Sequence, residues 1–288
     1  MNGEAGKRYA NKINRVCDYI SEHLNDELSV EKLSQVANFS RFHFHRQFTA
    51  YTGLTVTRYI LMVRLKRAAH QLVFNQEQRI IDIALDALFE NPESFSRAFK
   101  KAFDQTPSQF RQQPDWININ KALQLPTIER KLAMKVEIVN FTETRIALLK
   151  HRASPALIND TVSTFIAWRK ESGLSPEQSS NTYGIGYDDP KTTEPEKFHF
   201  DLCGEVNKEV PENPQGVTTS TIPGGRCARI RHHGPHEGMS DAICTLYQEW
   251  LPQSNEALRD FPCFFHYINF FPEVDEHELI TDIYLPLK

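Results

Sequence analysis

Two blocks of this chain, LSVEKLSQVANFSRFHFHRQF at positions 28–48 and RIIDIALDALFENPESFSRAF at 79–99, align end to end with Arg46 opposite Arg97. No other feature narrows the fold as far. Each block spaces its apolar residues by three and four and breaks once at a short turn, so each reads as helix, turn, helix. In the first, Ser29 caps a helix from Val30 to Ala37 and the chain breaks at Asn38-Phe39. Ser40 then caps a helix to about Tyr51, which Gly53 ends. In the second, the helices are Ile80–Leu88 and Glu93–Phe103, separated by a break at Phe89–Pro92 and followed by a stop at Thr106-Pro107. Before both blocks, Ile13, Val16, Cys17, Ile20 and Leu24 mark one amphipathic helix.

Helical geometry decides what His43-Phe44-His45 can do. On a strand two histidines at this spacing share a face and reach one metal ion, whereas on a helix they point about 200° apart. With Phe44 and Phe48 inward, Phe42, His45, Arg46 and Thr49 project outward beside Arg41, with His43 on the flank. In the second block Phe95, Phe99 and Phe103 form the inner line. Glu93, Ser96, Arg97 and Lys100 then face out, flanked by Ser94 and Lys101.

An outward arginine can bond guanine O6 and N7, an aromatic ring can meet a thymine methyl, and lysines can hold phosphate. Glu93 is useful there only as an acceptor from a cytosine amino group. One such helix alone reads more readily as a solvated surface; the duplication shifts the reading to a reader of duplex DNA. A joining helix from Thr55 to about Phe74, some 19 residues, holds the two readers about 28 Å apart, roughly one duplex turn.

Charge follows the same division. Residues 1–113 carry 16 Lys and Arg against 12 Asp and Glu, and residues 114–288 carry 17 against 25. The first part is suited to approach a polyanion and the second is repelled by one.

Residues 114–132 are poorly periodic and bounded by prolines, which predicts a linker. Beyond them the texture becomes strand-like: MKVEIVNF, RIALLKH, NTYGIGY, FHFDLCGEV, GVTTSTI, GRCARIRHH, CFFHYINFF and ELITDIYLPL. Amphipathic helices at about Ile158–Ser172 and Glu237–Leu251 interrupt them, so the order β-β-α-β-β occurs twice. The chain is thus expected to be multi-domain: an all-α double helix-turn-helix domain (1–113), a linker (114–132) and an α+β domain with an internal duplication (133–288).

Other functions find little support. No apolar run approaches the roughly 18 residues of a membrane span, and MNGEAGKRYANK lacks a signal peptide's apolar stretch, so a cytoplasmic protein is expected. The five cysteines are scattered without a Cys-x-x-Cys pair and read as reduced packing thiols. His232-His233-Gly234-Pro235-His236 falls at a strand-to-helix turn with no cysteine pair nearby, so neither a metal nor a cofactor is expected. No Gly-x-Ser-x-Gly elbow is present to support serine catalysis.

The stretch Leu28–Arg111 resembles the DNA-binding domain of the AraC/XylS family of bacterial transcription regulators. The likeness is carried above all by IIDIALDALFENPESFSRAFKKAFDQTPSQFR, with its Ile-Ala, Phe-Ser-Arg-x-Phe-Lys and Thr-Pro-x-x-Phe-Arg patterns. Leu88 and Asp104 stand where glycines are usual in that family, and Val56 where proline is common. The resemblance implies that Arg46 and Arg97 enter adjacent major-groove segments, with Phe42, His45 and Ser94 beside them.

Residues 134–288 are similar to the GyrI-like effector domain in YGIGYDDP, FHFDLCGEV, HHGPHEGMSDAICTLYQEWL and ELITDIYLPLK, which gives a Rob-like domain order. This implies a duplicated β-α-β-β fold with a ligand pocket between the repeats, and in multidrug-sensing relatives an acid among aromatics that binds lipophilic cations. A carboxylate flanked by π faces suits such a ligand. Asp282 is the acid expected here, where relatives often carry Glu, and Phe265 replaces a common acid. Trp168, Tyr187, Trp250, Phe265, Tyr267 and Tyr284 are the expected walls, each equally readable as core.

The implied function is a regulator with double-stranded DNA, a small lipophilic or cationic effector and RNA polymerase as partners, and no membrane. Two alternatives stay open: a GyrI-like hydrolase using Asp282 and Tyr267, and an acidic protein-binding module.

Overall fold

The computed structural model describes residues 4–117, 119, 135–190, 192–271 and 273–288. The chain divides into two compact units, one within residues 1–131 and one within 132–288, with Asp275–His277 grouped with the first.

The first unit is helical: α1 Glu4–Glu22, α2 Val30–Val36, α3 Arg41–Thr52, α4 Val56–Phe74, α5 Ile80–Asp86, α6 Pro92–Phe103 and α7 Pro107–Gln112. Two apolar clusters hold it together, and α4 feeds both. Its Val56, Tyr59, Ile60 and Val63 pack with Ile13, Val16 and Ile20 of α1, Leu33 of α2, and Phe44 and Phe48 of α3. Its Leu65, Ala68, Ala69 and Leu72 pack with Ile83 and Ala84 of α5, Phe95, Phe99 and Phe103 of α6, and Phe110 of α7. Such a helix cannot have one apolar stripe, because it is buried on more than one side.

The two halves repeat in their backbone as well. Asn38 (φ 49°) and Leu88 (φ 58°) make the left-handed turns between the helices of each pair. In both turns the next amide closes back on the first helix, Phe39 to the Ser34 carbonyl at 2.9 Å and Phe89 to the Ala84 carbonyl at 3.0 Å. Gly53 (φ 71°) and Asp104 (φ 61°) then cap α3 and α6 in the same conformation. The first helices begin at Val30 and Ile80 but the arginines are Arg46 and Arg97, so the second turn is one residue longer.

Two expectations change. Thr106-Pro107 does not stop the helical region; Thr106 caps α7 through a reciprocal bond with Gln109, and proline occupies the first turn where no N–H is needed. Trp116 and Ile119, read as linker, are buried in the second cluster, Trp116 5.2 Å from Phe110 and 6.0 Å from Phe74 between ring centroids. Residues 118 and 120–132 of the expected linker lie outside the described residues.

The second unit is one antiparallel sheet of β1 Val136–Phe141, β2 Thr144–Arg152, β3 Thr182–Gly186, β4 His199–Glu205, β5 Thr218–Ile222, β6 Gly225–His233, β7 Cys263–Tyr267 and β8 Ile280–Pro286. Helix α8 (Ile158–Ser172) follows β2, and α9 follows β6 as Met239–Cys244, a π-helical turn Thr245–Trp250 and a last α turn Leu251–Ser254. The strand order is β1-β6-β8-β7-β3-β4-β2-β5. It is a palindrome of the two β-β-α-β-β halves, in which each half lends its first strand to the other: β1 pairs with β6 and β5 with β2.

Alternation gives the sheet two apolar faces. Ala147, Leu149, Phe200, Leu202, Ala228, Ile230, Phe265, Ile283 and Leu285 pack with Phe165 and Trp168 of α8 and Leu246 of α9. Ile146, Leu148, Tyr183, Ile185, Cys203, Cys227, Phe264 and Tyr284 form a second cluster on the other face. Gly184 is needed because a Cβ there would lie 2.4 Å from the Phe200 ring and 2.9 Å from the Tyr267 hydroxyl.

Candidate DNA-reading and effector sites

The outer face of α3 follows from its two buried phenylalanines. Phe44 and Phe48 are fully buried, and Arg41, His43, His45, Arg46 and Thr49 are exposed. The two histidines therefore diverge. Phe42 lies in α3, but its side chain is outside the described part. Arg41 pairs with Glu31 of α2, an ion pair exposed at both ends and so of little energetic weight. Among the described residues Arg46 forms no ion pair.

On α6 the pattern repeats. Phe95, Phe99 and Phe103 are buried while Glu93, Arg97, Lys100 and Lys101 are exposed. Ser94 is half-buried and donates its hydroxyl to the Asn91 carbonyl at 2.8 Å, so it serves the helix start first. Glu93 in the first turn and the two lysines in the last also match the helix dipole, a local reason for those charges.

The seven residues expected around an effector do not meet in one place. Phe265 and Tyr267 on β7, Trp168 on α8 and Trp250 on α9 belong to the helix-covered face. Tyr284 belongs to the opposite face, and alternation along β8 puts Asp282 there too. Tyr187 also lies on that side, donating its hydroxyl to Asp201 at 2.9 Å. Asp282 and Tyr267 are thus separated by the sheet and cannot act as one hydrolytic pair.

Asp282 is further removed from its expected role by its partners. It is 2% exposed and accepts two bonds from Arg231, at 2.6 and 2.7 Å, with Arg229 at 3.7 Å. Arg229 bridges to Glu137, which Lys135 and then Arg229 hold at about 2. Asp201, at the same place in β4, has a matching set: Arg152 at 2.7 Å and Tyr187, whose phenol burial and Asp201 push up to about 12. Both acids are neutralised in place and neither offers a free carboxylate to a cation.

Beside Tyr267, residues that strand texture leaves unmarked stand on the helix-covered face. Thr182, Tyr267, Thr281 and His232 are successive cross-strand partners on β3, β7, β8 and β6. Arg169 of α8, 5% exposed, donates to the Thr182 hydroxyl at 2.7 Å and to the Ser175 carbonyl at 2.5 Å. Of this row the sequence singled out Tyr267 alone as an effector wall; Thr182, Thr281 and His232 come one from each strand and share no spacing along the chain.

Two repeated helix-turn-helix units with exposed arginines, followed by a duplicated sheet domain with helices over one face, define a DNA-binding regulator with a built-in small-molecule domain. The pattern of the GyrI-like small molecule binding domain matches residues 134–288 and that of a helix-turn-helix domain matches 33–113. The chain belongs to the GyrI-like family, here joined to an AraC-type DNA-binding domain, and is a transcription regulator of that architecture.

It is similar to the probable transcriptional regulator YgiV of Escherichia coli K12, 45% identical over 156 residues, covering 54% of this chain and 98% of that protein. Likeness to the right origin-binding protein of Escherichia coli K12 is lower but longer, 26% over 256 residues and 84% of each chain. Among solved structures, the EcmrR C-terminal domain matches with TM-score 0.47 and 17% identity, over 55% of this chain and 99% of that one.

Proposed function

We propose that α3 and α6 read two successive major-groove segments of one operator, each centred on its arginine. The observation that carries this is the repeat itself: Arg46 and Arg97 stand at equivalent, exposed places two residues after a buried phenylalanine, on helices joined through α4. Helix α4 spans 19 residues, about 28 Å at 1.5 Å per residue, which suits readers one duplex turn apart. Arg41, His45 and Thr49 flank the first reader, and Ser94, Lys100 and Lys101 the second, for phosphate or base contacts. The second unit binds a small effector on the helix-covered side of its sheet. Its occupancy alters how the protein presents itself to the operator or to RNA polymerase in the cytoplasm.

The test is selection of bound sequences from random duplex DNA, followed by titration of variants. Arg46→Ala and Arg97→Ala should each weaken binding by about 1–3 kcal/mol and relax preference at different positions of the site. Loss of preference at the same position in both variants, or in neither, would contradict the two-reader arrangement.

A further inference from the structure

The first turns of the two reading helices differ at a place that the fold leaves open. Counted from the capping residues Ser40 and Asn91, Phe42 and Glu93 each stand second in their helix, as Arg46 and Arg97 each stand sixth. No acid lies in the first turn of α3, whereas α6 carries Glu93 there. The helix dipole favours an acid at this place, but α3 begins without one, so the helix-turn-helix does not require it.

The other polar side chains of that turn are spent on the helix start. Asn91 accepts from the Ser94 amide at 2.8 Å, and the Ser94 hydroxyl donates back to the Asn91 carbonyl at 2.8 Å. Glu93 is exposed, and among the described residues it forms neither a hydrogen bond nor an ion pair. Arg97, exposed four residues on along the same face, is likewise unpaired, although an acid four residues before a base is the favourable order for a helical pair. Both side chains are therefore available to a groove. A carboxylate there weakens binding to DNA of any sequence, because it carries the charge of the backbone it approaches, unless a base edge donates to it. Cytosine does so with its 4-amino group. Adenine also offers an amino group, but beside its N7 acceptor, which repels a carboxylate and suits an amide.

We propose that Glu93 is a specificity-determining residue of the second reader, accepting from the 4-amino group of a cytosine within about two base pairs of the guanine that Arg97 bonds. Four residues span about 6 Å at 1.5 Å per residue, against about 3.4 Å between successive bases. The first reader holds Phe42 at the equivalent place, so the two half-sites are unlike and the protein lies on its operator in one direction. The assignment rests on the reading of α6 as a groove reader and adds a base that it selects.

The full chain is titrated against duplexes built on a site selected from random DNA, with each of the four base pairs placed in turn at every position around the guanine read by Arg97. The parent should lose about tenfold in affinity when the cytosine is replaced. Glu93→Gln should move the preference at that position from cytosine to adenine, since an amide bonds adenine N6 and N7 together. Glu93→Ala should bind the four duplexes within about twofold of one another, and the non-cytosine ones about two- to fivefold more tightly than the parent does. An acid that served the helix start alone would give a different result: Glu93→Ala would tighten all four alike and keep the parent's preference. That outcome, a parent indifferent to cytosine, or a Glu93→Gln variant still selecting it would overturn the proposal and leave the reader in place. If Arg97→Ala relaxes preference at no position, the reading of α6 itself fails.

Discussion

Leu88 holds φ at 58°, a conformation in which a Cβ crowds the backbone at a cost of about 1 kcal/mol. Its side chain is exposed and returns little of that in burial. Leu88→Gly should therefore raise stability by about 0.5–1 kcal/mol in urea unfolding, whereas Leu85→Gly, inside α5, should lower it by about 1 kcal/mol. Equal effects at the two positions would mean that the turn is not strained. That Leu88 occupies a glycine-like position was readable from the family pattern, and so was Asp104.

His266 supplies a residue-scale dependence on pH. Burial pushes its imidazole below 6.5, opposed in part by Asp282 and reinforced by Arg231. It also bonds Asn181 at 3.2 Å and lies 4.7 Å from the Tyr183 ring. The folded state binds the proton less readily than the unfolded chain, so this contribution is intact above 6.5 and is lost as pH falls through the folded value. His266→Gln should show a smaller loss of stability than the parent between about pH 7.5 and pH 5.5, read from urea midpoints. Equal losses would assign the acid sensitivity elsewhere.

At the scale of elements, the eight strands were legible because alternating or short runs of apolar and β-branched residues mark them, and α8 because its apolar residues recur at helical spacing. Helix α7 was missed although Thr106-Pro-Ser-Gln109 carries a capping-box pattern, because Thr-Pro reads equally as a stop. Thr106→Ala should lower stability by about 1 kcal/mol, and should do so through the second cluster, since Phe110 and Trp116 both depend on α7. Quenching of Trp116 by solvent in the variant would report it; an unchanged Trp116 environment and an unchanged midpoint would refute it.

The effector wall was less legible than the strands. Within β8 it is plain that Asp282 and Tyr284 share a face, and within β7 that Phe265 and Tyr267 do. Which face of β8 matches which face of β7 depends on register, here Tyr267 opposite Thr281. The segment joining the two strands does not reveal that register from its residues. The π-helical turn at Thr245–Trp250 is likewise silent in the sequence, since i→i+5 bonding leaves no distinct apolar spacing.

At the scale of the whole molecule, the charge division sets the salt response of DNA binding. Affinity should fall steeply as salt rises, with log K linear in log salt. Replacing Lys100 or Lys101 by alanine should make that slope shallower by about one for each phosphate left without its lysine. A flat response would contradict groove binding by the basic part. Two readers on one chain also predict one chain per duplex site of about 20 base pairs, measurable by analytical ultracentrifugation.

The exchange of first strands between the two halves of the sheet has a consequence for how the second unit can be divided. Because β1 is seated on β6 and β5 on β2, the halves are not two small domains in tandem. A break in the connection after β4, at positions 206–217, would yield fragments that each lack an outer strand and present the one the other lacks. Such fragments should fold by mutual completion, so this unit is better suited to being split and reassembled than to being shortened.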